Sequence, residues 1–166
     1  CMNSESVKHS FDNLLSPTKI SDFYKKYWET EVLVINREQP EYWKDLLSMQ
    51  DIDEAICTLN LRHSELRLTK LNDSVDASLY TWKNDLVDVS KVFQYYSEGH
   101  TIVLNHLHYR LKSMAQLVRN MELAFSFPFQ TNIYLTPEKS QGFDAHYDTH
   151  CVFILQIEGS KKWKTY

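Results

Sequence analysis

Residues 142–166 read "GFDAHYDTHCVFILQIEGSKKWKTY". A histidine and an aspartate, His146 and Asp148, stand two apart just ahead of an apolar run, "CVFILQI" (151–157). Side chains on a strand alternate faces, so the pair points one way and Tyr147 the other. At the usual rise their Cα atoms lie about 6.6 Å apart, close enough for both heads to reach one ion. One imidazole and one carboxylate make two-thirds of the 2-His-1-carboxylate triad that holds non-haem Fe(II). An isolated H-x-D is more often a core histidine beside a surface aspartate, so the neighbours matter. The apolar run ends at a Glu158-Gly159 turn, and Lys161 and Lys162 follow it. A lysine at the mouth of an apolar barrel is costly unless an anion meets it. One of these two reads as an ordinary solvated turn lysine.

Working back, "TNIYL" (131–135) reads as a strand, with Asn132 and Tyr134 on one face. The amphipathic pattern of "KSMAQLVRNMELAFSF" predicts a helix stopped before Pro128. "HTIVLNHL" predicts a strand, "LVDVSKVFQYYSEG" a helix ended by Gly99, and "ELRLTKL" (65–71) a half-buried strand. "NDSVDAS" after Leu71 reads as a loop. Two further helices are expected at "PEYWKDLLSM" and "SMQDIDEAICTL", the second with Ser48 and Asp51 in capping-box spacing. "VLVI" (32–35) reads as a short strand. In "SPTKISDFYKKYWE", Ser16 suits an N-cap and Pro17 the first helical position. From residue 130 onward "TNIYL", "DAHYD", "CVFILQI" and "KWKTY" all read as strands. The class expected is therefore α+β, with the sheet at the C-terminal end.

The 166 residues suffice for one domain with a real core. A net charge of −4 gives no basic field for a direct nucleic-acid partner. No apolar run approaches the roughly 18 residues of a membrane span. Three cysteines, Cys1, Cys57 and Cys151, form neither an even framework nor a C-x-x-C pair. The expectation is a reducing compartment and a cytoplasmic protein.

Taken in order, "TNIYLTP", "SQGFDAHYDTHCVFILQIEG" and "SKKWKTY" resemble the metal-binding core of JmjC-type cupin oxygenases, in the branch related to ribosomal oxygenases. The likeness is densest over 131–166, and weaker features reach back to "DFYKKYWETEVLVINR". It implies a single JmjC/cupin-like domain over 1–166, incomplete at its C-terminal end, with a helical subregion at 11–71. The fold implied is a helical N-terminal part followed by the first half of a double-stranded β-helix barrel. The cofactors implied are Fe(II) and 2-oxoglutarate. His146 and Asp148 match the first two iron ligands. Lys161 matches the cation that holds the distal carboxylate of 2-oxoglutarate. Tyr134 and Asn132 match polar residues lining the co-substrate pocket in some members.

The activity implied is hydroxylation of a protein or peptide side chain, the substrate being a ribosomal protein by analogy. The sequence departs from the family at the third ligand, a histidine supplied from a later strand. No histidine follows His150 here, and His150 lies about 13 Å from His146 on a straight strand. His106 and His108 read as turn and surface residues. The expectation is a truncated chain, inactive alone, whose open sheet edge is covered by a missing segment or an oligomeric partner. The alternative is a non-catalytic cupin-like binding module without a complete metal site.

Overall fold

The computed structural model describes residues 8–71 and 73–164. Its first helix, α1 (Phe11–Leu15), opens at Ser10, whose hydroxyl accepts the Asn13 N–H. Ser16 closes that helix, its N–H donating to the Asp12 carbonyl. It therefore does not cap the next one, as the sequence suggested. Helix α2 (Ile20–Asp22) starts instead after Lys19 and runs directly into a π-wound turn, Phe23–Tyr27.

Helix α3 (Met49–Thr58) carries the expected capping box. The Ser48 hydroxyl accepts from the Asp51 N–H, and the Asp51 carboxylate accepts the Ser48 N–H. Helix α4 (Val89–Ser97) is capped by Asp88, which accepts from the Ser90 and Lys91 amides. Gly99, at φ +95°, turns the chain out of it as expected. Helix α5 (Lys112–Phe125) ends at Ser126 in a left-handed conformation. Among the described residues no helix is long and apolar enough to cross a membrane.

The expected helix at 40–49 is a series of turns. Tyr42 and Trp43 stack beneath the Arg37 guanidinium at 4.3 and 5.0 Å, and the Tyr42 hydroxyl donates to the Asn13 carbonyl. These long-range ties fix the segment where local propensity alone would wind it.

Four strands form one antiparallel sheet in the order β2-β1-β3-β4: β1 (Leu66–Lys70), β2 (Asp73–Ser74), β3 (Thr101–Asn105) and β4 (Asn132–Leu135). The sheet thus lies in the middle of the chain and not at its end. Cross-strand register sorts its residues into rows. Leu66, Leu104 and Ile133 form one row of the inner face, and Leu68, Ile102 and Leu135 the next. These join the main core with Ile52, Ala55 and Ile56 of α3, Val92 of α4, and Met114, Leu117 and Met121 of α5. The outer face carries different chemistry. Arg67, Val103 and Tyr134 make one row there, and Thr69 pairs with Thr101 in another.

The four-stranded sheet is the extent of regular pairing among the described residues, and a half-barrel is not formed by them. "VLVI" and "CVFILQI" belong to no strand of the sheet among the described residues. None of the backbone–backbone hydrogen bonds of the described residues involves 32–36 or 142–157. Both stretches keep a strand's alternation nonetheless: Leu33, Phe153, Leu155 and Ile157 pack on the core while Val32, Val34, Val152 and Ile154 are exposed. "DAHYD" is irregular, and "KWKTY" ends outside the described residues. Phe153 is the anchor of the second stretch. Its ring meets Phe11, Phe23, Phe125 and Phe129 at centroid distances of 5.7–6.3 Å. Such aromatic pairs add about 0.5–1.5 kcal/mol each beyond the area they bury.

Candidate metal and co-substrate site

The segment bearing His146 and Asp148 crosses the outer face of the sheet. It arrives at Gly142, which is buried against β3. The Thr69 hydroxyl donates to the Gly142 carbonyl at 3.3 Å, and the Thr101 hydroxyl shares a hydrogen bond with that of Thr136. Phe143 follows, half-buried on the next row. Its ring lies 5.5 Å from the Arg67 guanidinium and 5.7 Å from the Tyr134 ring. Those residues flank Val103 in register, so a ring that reaches both lies over Val103. Val103 is fully buried although it stands outside the main apolar cluster. Phe143 then meets the His146 imidazole at 5.8 Å.

His146 is exposed, with Nδ1 2.8 Å from the Asp144 carbonyl oxygen. A carbonyl only accepts, so Nδ1 carries a proton, and in the neutral ring Nε2 is then the nitrogen with the lone pair. That is the arrangement by which a metal-binding histidine is usually held, its second nitrogen donating to a backbone oxygen. Asp148 is exposed two residues further on. Lys161 comes back to β4: its Nζ lies 5.9 Å from the centre of the Tyr134 ring and 5.5 Å from that of Trp163. Asn132 is paired with Asn105 and shares the Tyr134 face. The fold thus gathers Tyr134, Lys161 and His146 around one outer row of the sheet.

The donor types, an imidazole with a free Nε2 and a carboxylate, suit Fe(II). Among the described residues there is no group of three or more His, Cys, Asp and Glu side chains able to hold a metal ion. His150 is exposed. His106 and His108 sit at the far end of β3, with Nε2 of His106 2.9 Å from the Gln130 Oε1 and Nδ1 of His108 3.3 Å from the Thr131 hydroxyl. They brace the approach to β4. Burial, reinforced by the neighbouring His106, holds the His108 pKa below the usual histidine value, against an opposing pull from Glu122. Beside them Glu65 pairs with Arg110 at 2.7 Å. Burial opposes ionisation of Glu65, but hydrogen bonds from the Arg110 side chain and the Arg62 amide outweigh it and lower its pKa.

Gly142, Phe143 and Arg67 escaped the sequence reading. A signal existed for the first: the chain has three glycines, and one stands four residues before His146. No local pattern marks Arg67, because register alone places it in one row with Val103 and Tyr134, the latter 67 positions away.

The sequence pattern of the JmjC domain matches residues 104–166. The chain is 33% identical over 163 residues to "Bifunctional lysine-specific demethylase and histidyl-hydroxylase NO66" of Drosophila yakuba, an alignment covering 92% of this chain and 22% of that protein. It is 33% identical over 166 residues to the protein of the same name from Aedes aegypti, covering 96% and 25%. It is 29% identical over 178 residues to "Ribosomal oxygenase 2" of Rattus norvegicus, covering 99% and 36%. The chain therefore spans between a fifth and two-fifths of the length of these relatives. The match over 104–166 and these relatives make the chain similar to ribosomal-oxygenase-like members of the JmjC family, a family of 2-oxoglutarate-dependent dioxygenases.

Proposed function

We propose that this chain is the metal-binding part of an Fe(II)- and 2-oxoglutarate-dependent oxygenase that hydroxylates a side chain of a protein or peptide. The observation that carries the reading is the His146 hydrogen bond to the Asp144 carbonyl, which leaves Nε2 free two residues from a second donor, Asp148. In this reading His146 and Asp148 hold the iron. Lys161, close to Tyr134, meets the distal carboxylate of 2-oxoglutarate with a charge-assisted contact. Tyr134 and Asn132 line the same pocket and orient the co-substrate. When bound, the iron supplies the oxygen chemistry that couples conversion of 2-oxoglutarate to succinate and CO₂ with hydroxylation of a C–H bond. The chain's own contribution is positioning. The names of the relatives support a protein substrate, and "Ribosomal oxygenase 2" supports one from the ribosome. The extended 151–157 stretch is read as a barrel strand, its alternating burial already that of a strand with one face on a core.

A second reading, a cupin-like binding module without catalysis, is favoured by one observation: the described residues offer two candidate ligands and no cluster of three. Calorimetric titration of the 166-residue chain with Mn(II), with 2-oxoglutarate present, tests the first. Weak binding that His146→Ala abolishes is expected, without succinate formation by this chain. Binding unaffected by His146→Ala would remove the assignment.

A further inference from the structure

An imidazole that is free in water favours the Nε2–H tautomer, the form whose ε nitrogen cannot ligate. Keeping His146 in the opposite form requires its ring to be held against the Asp144 carbonyl. The backbone around it does not supply that hold, since 142–157 takes no part in the backbone–backbone hydrogen bonding of the described residues. Neither does burial, because residues 144–150 are all exposed. The apolar side chain that meets both the sheet and His146 is Phe143. Its own place is tightly specified: Arg67 on one side, Tyr134 on the other, Val103 beneath, and Gly142 pinned to the threonine row just before it. The Phe143 carbonyl is also taken, by the Gln141 side-chain amide at 2.8 Å.

We infer that Phe143 is a positioning residue. Seated in the Arg67–Val103–Tyr134 row, it fixes the ring plane of His146 and thereby holds the Nδ1–H tautomer that exposes Nε2. Arg67 acts one step further out, through its contact with the Phe143 face. That contact is a cation–π interaction, with the guanidinium 5.5 Å from the ring centre. The same row places Tyr134 against the edge of Phe143, so the strand bearing the co-substrate residues and the segment bearing the ligands share one support.

The inference rests on the reading of His146 as a ligand, and two readouts keep them apart. Nitrogen-15 spectra of the histidine rings in the full chain report the His146 tautomer with no metal present. Mn(II) titration with 2-oxoglutarate reports ligation. In Phe143→Ala the Nδ1–H signature is expected to vanish and Mn(II) affinity to fall at least about tenfold, the usual effect of losing a residue that orients a ligand. Phe143→Tyr, which keeps the ring, restores both. Should Phe143→Ala not fold, Arg67→Ala carries the test, with a partial loss of the same signature that Arg67→Lys recovers. An unchanged His146 tautomer in folded Phe143→Ala, or in Arg67→Ala where that variant must serve, overturns the positioning role. A tautomer lost in Phe143→Ala while Mn(II) binds to neither protein leaves Phe143 its role and removes the ligand reading instead.

Discussion

At Gly142 the backbone runs so close to β3 that an added Cβ would sit 2.7 Å from the Thr101 hydroxyl. That hydroxyl is buried and bonded to Thr136, so it has little room to give. Gly142→Ala is expected to cost about 1–3 kcal/mol as an overpacked contact, read as a lower urea midpoint with an unchanged slope. His108 sets a different sensitivity. Its lowered pKa means the folded state prefers the neutral ring, so the unfolded chain binds the extra proton first. The stability it contributes is complete above about 6.5, the ordinary histidine value, and is lost as pH falls from there through the folded value. Glu65, with its lowered pKa, is lost in a lower window, below the ordinary carboxylate range. Replacing His108 by Gln should flatten the stability–pH curve just below about pH 6.5 and leave the acid limb in place.

Among elements, those announced by local chemistry were legible. The Ser48–Asp51 box opens α3 as its spacing foretold, because both partners lie within one turn. Ser48→Ala should cost about 1 kcal/mol of stability, measured by denaturant unfolding. Ser16 misled for an equally local reason: an N-cap residue type also fits a helix end, and α1 claims it. "VLVI" and "CVFILQI" were legible in burial, each showing a strand's alternation, and not in pairing. Pairing is settled by partners remote in sequence, which no period-2 pattern encodes. The amides of 152–157 should accordingly exchange on the order of a thousandfold faster than those of β3, whose strand is buried and bonded on both sides. Slow exchange in 152–157 would mean that a partner strand is present after all.

Over the whole molecule, the candidate ligands His146 and Asp148 and the candidate anchor Lys161 stand within 25 consecutive residues, whereas the row beneath that segment is scattered along the chain. Arg67, Val103 and Tyr134 come from three strands and meet only through register. The N-terminal helices enter the same unit through Phe153, which seats the closing stretch on α1, the π turn and α5. Phe153→Ala should cost about 2–4 kcal/mol, at or below the range for a fully buried phenylalanine because the site is only half-buried. The loss should be visible in thermal unfolding.

The two unpaired stretches also govern how the chain behaves in a concentrated solution. Each offers a row of amides and carbonyls that take no backbone partner among the described residues, beside outward valine or isoleucine, at Val32 and Val34 and at Val152 and Ile154. Open ribbons of that kind recruit copies of themselves, and ordinary proteins blunt them with lysine. Clouding that grows with concentration follows, and Val34→Lys with Ile154→Lys should clear it while leaving the melting temperature nearly unmoved.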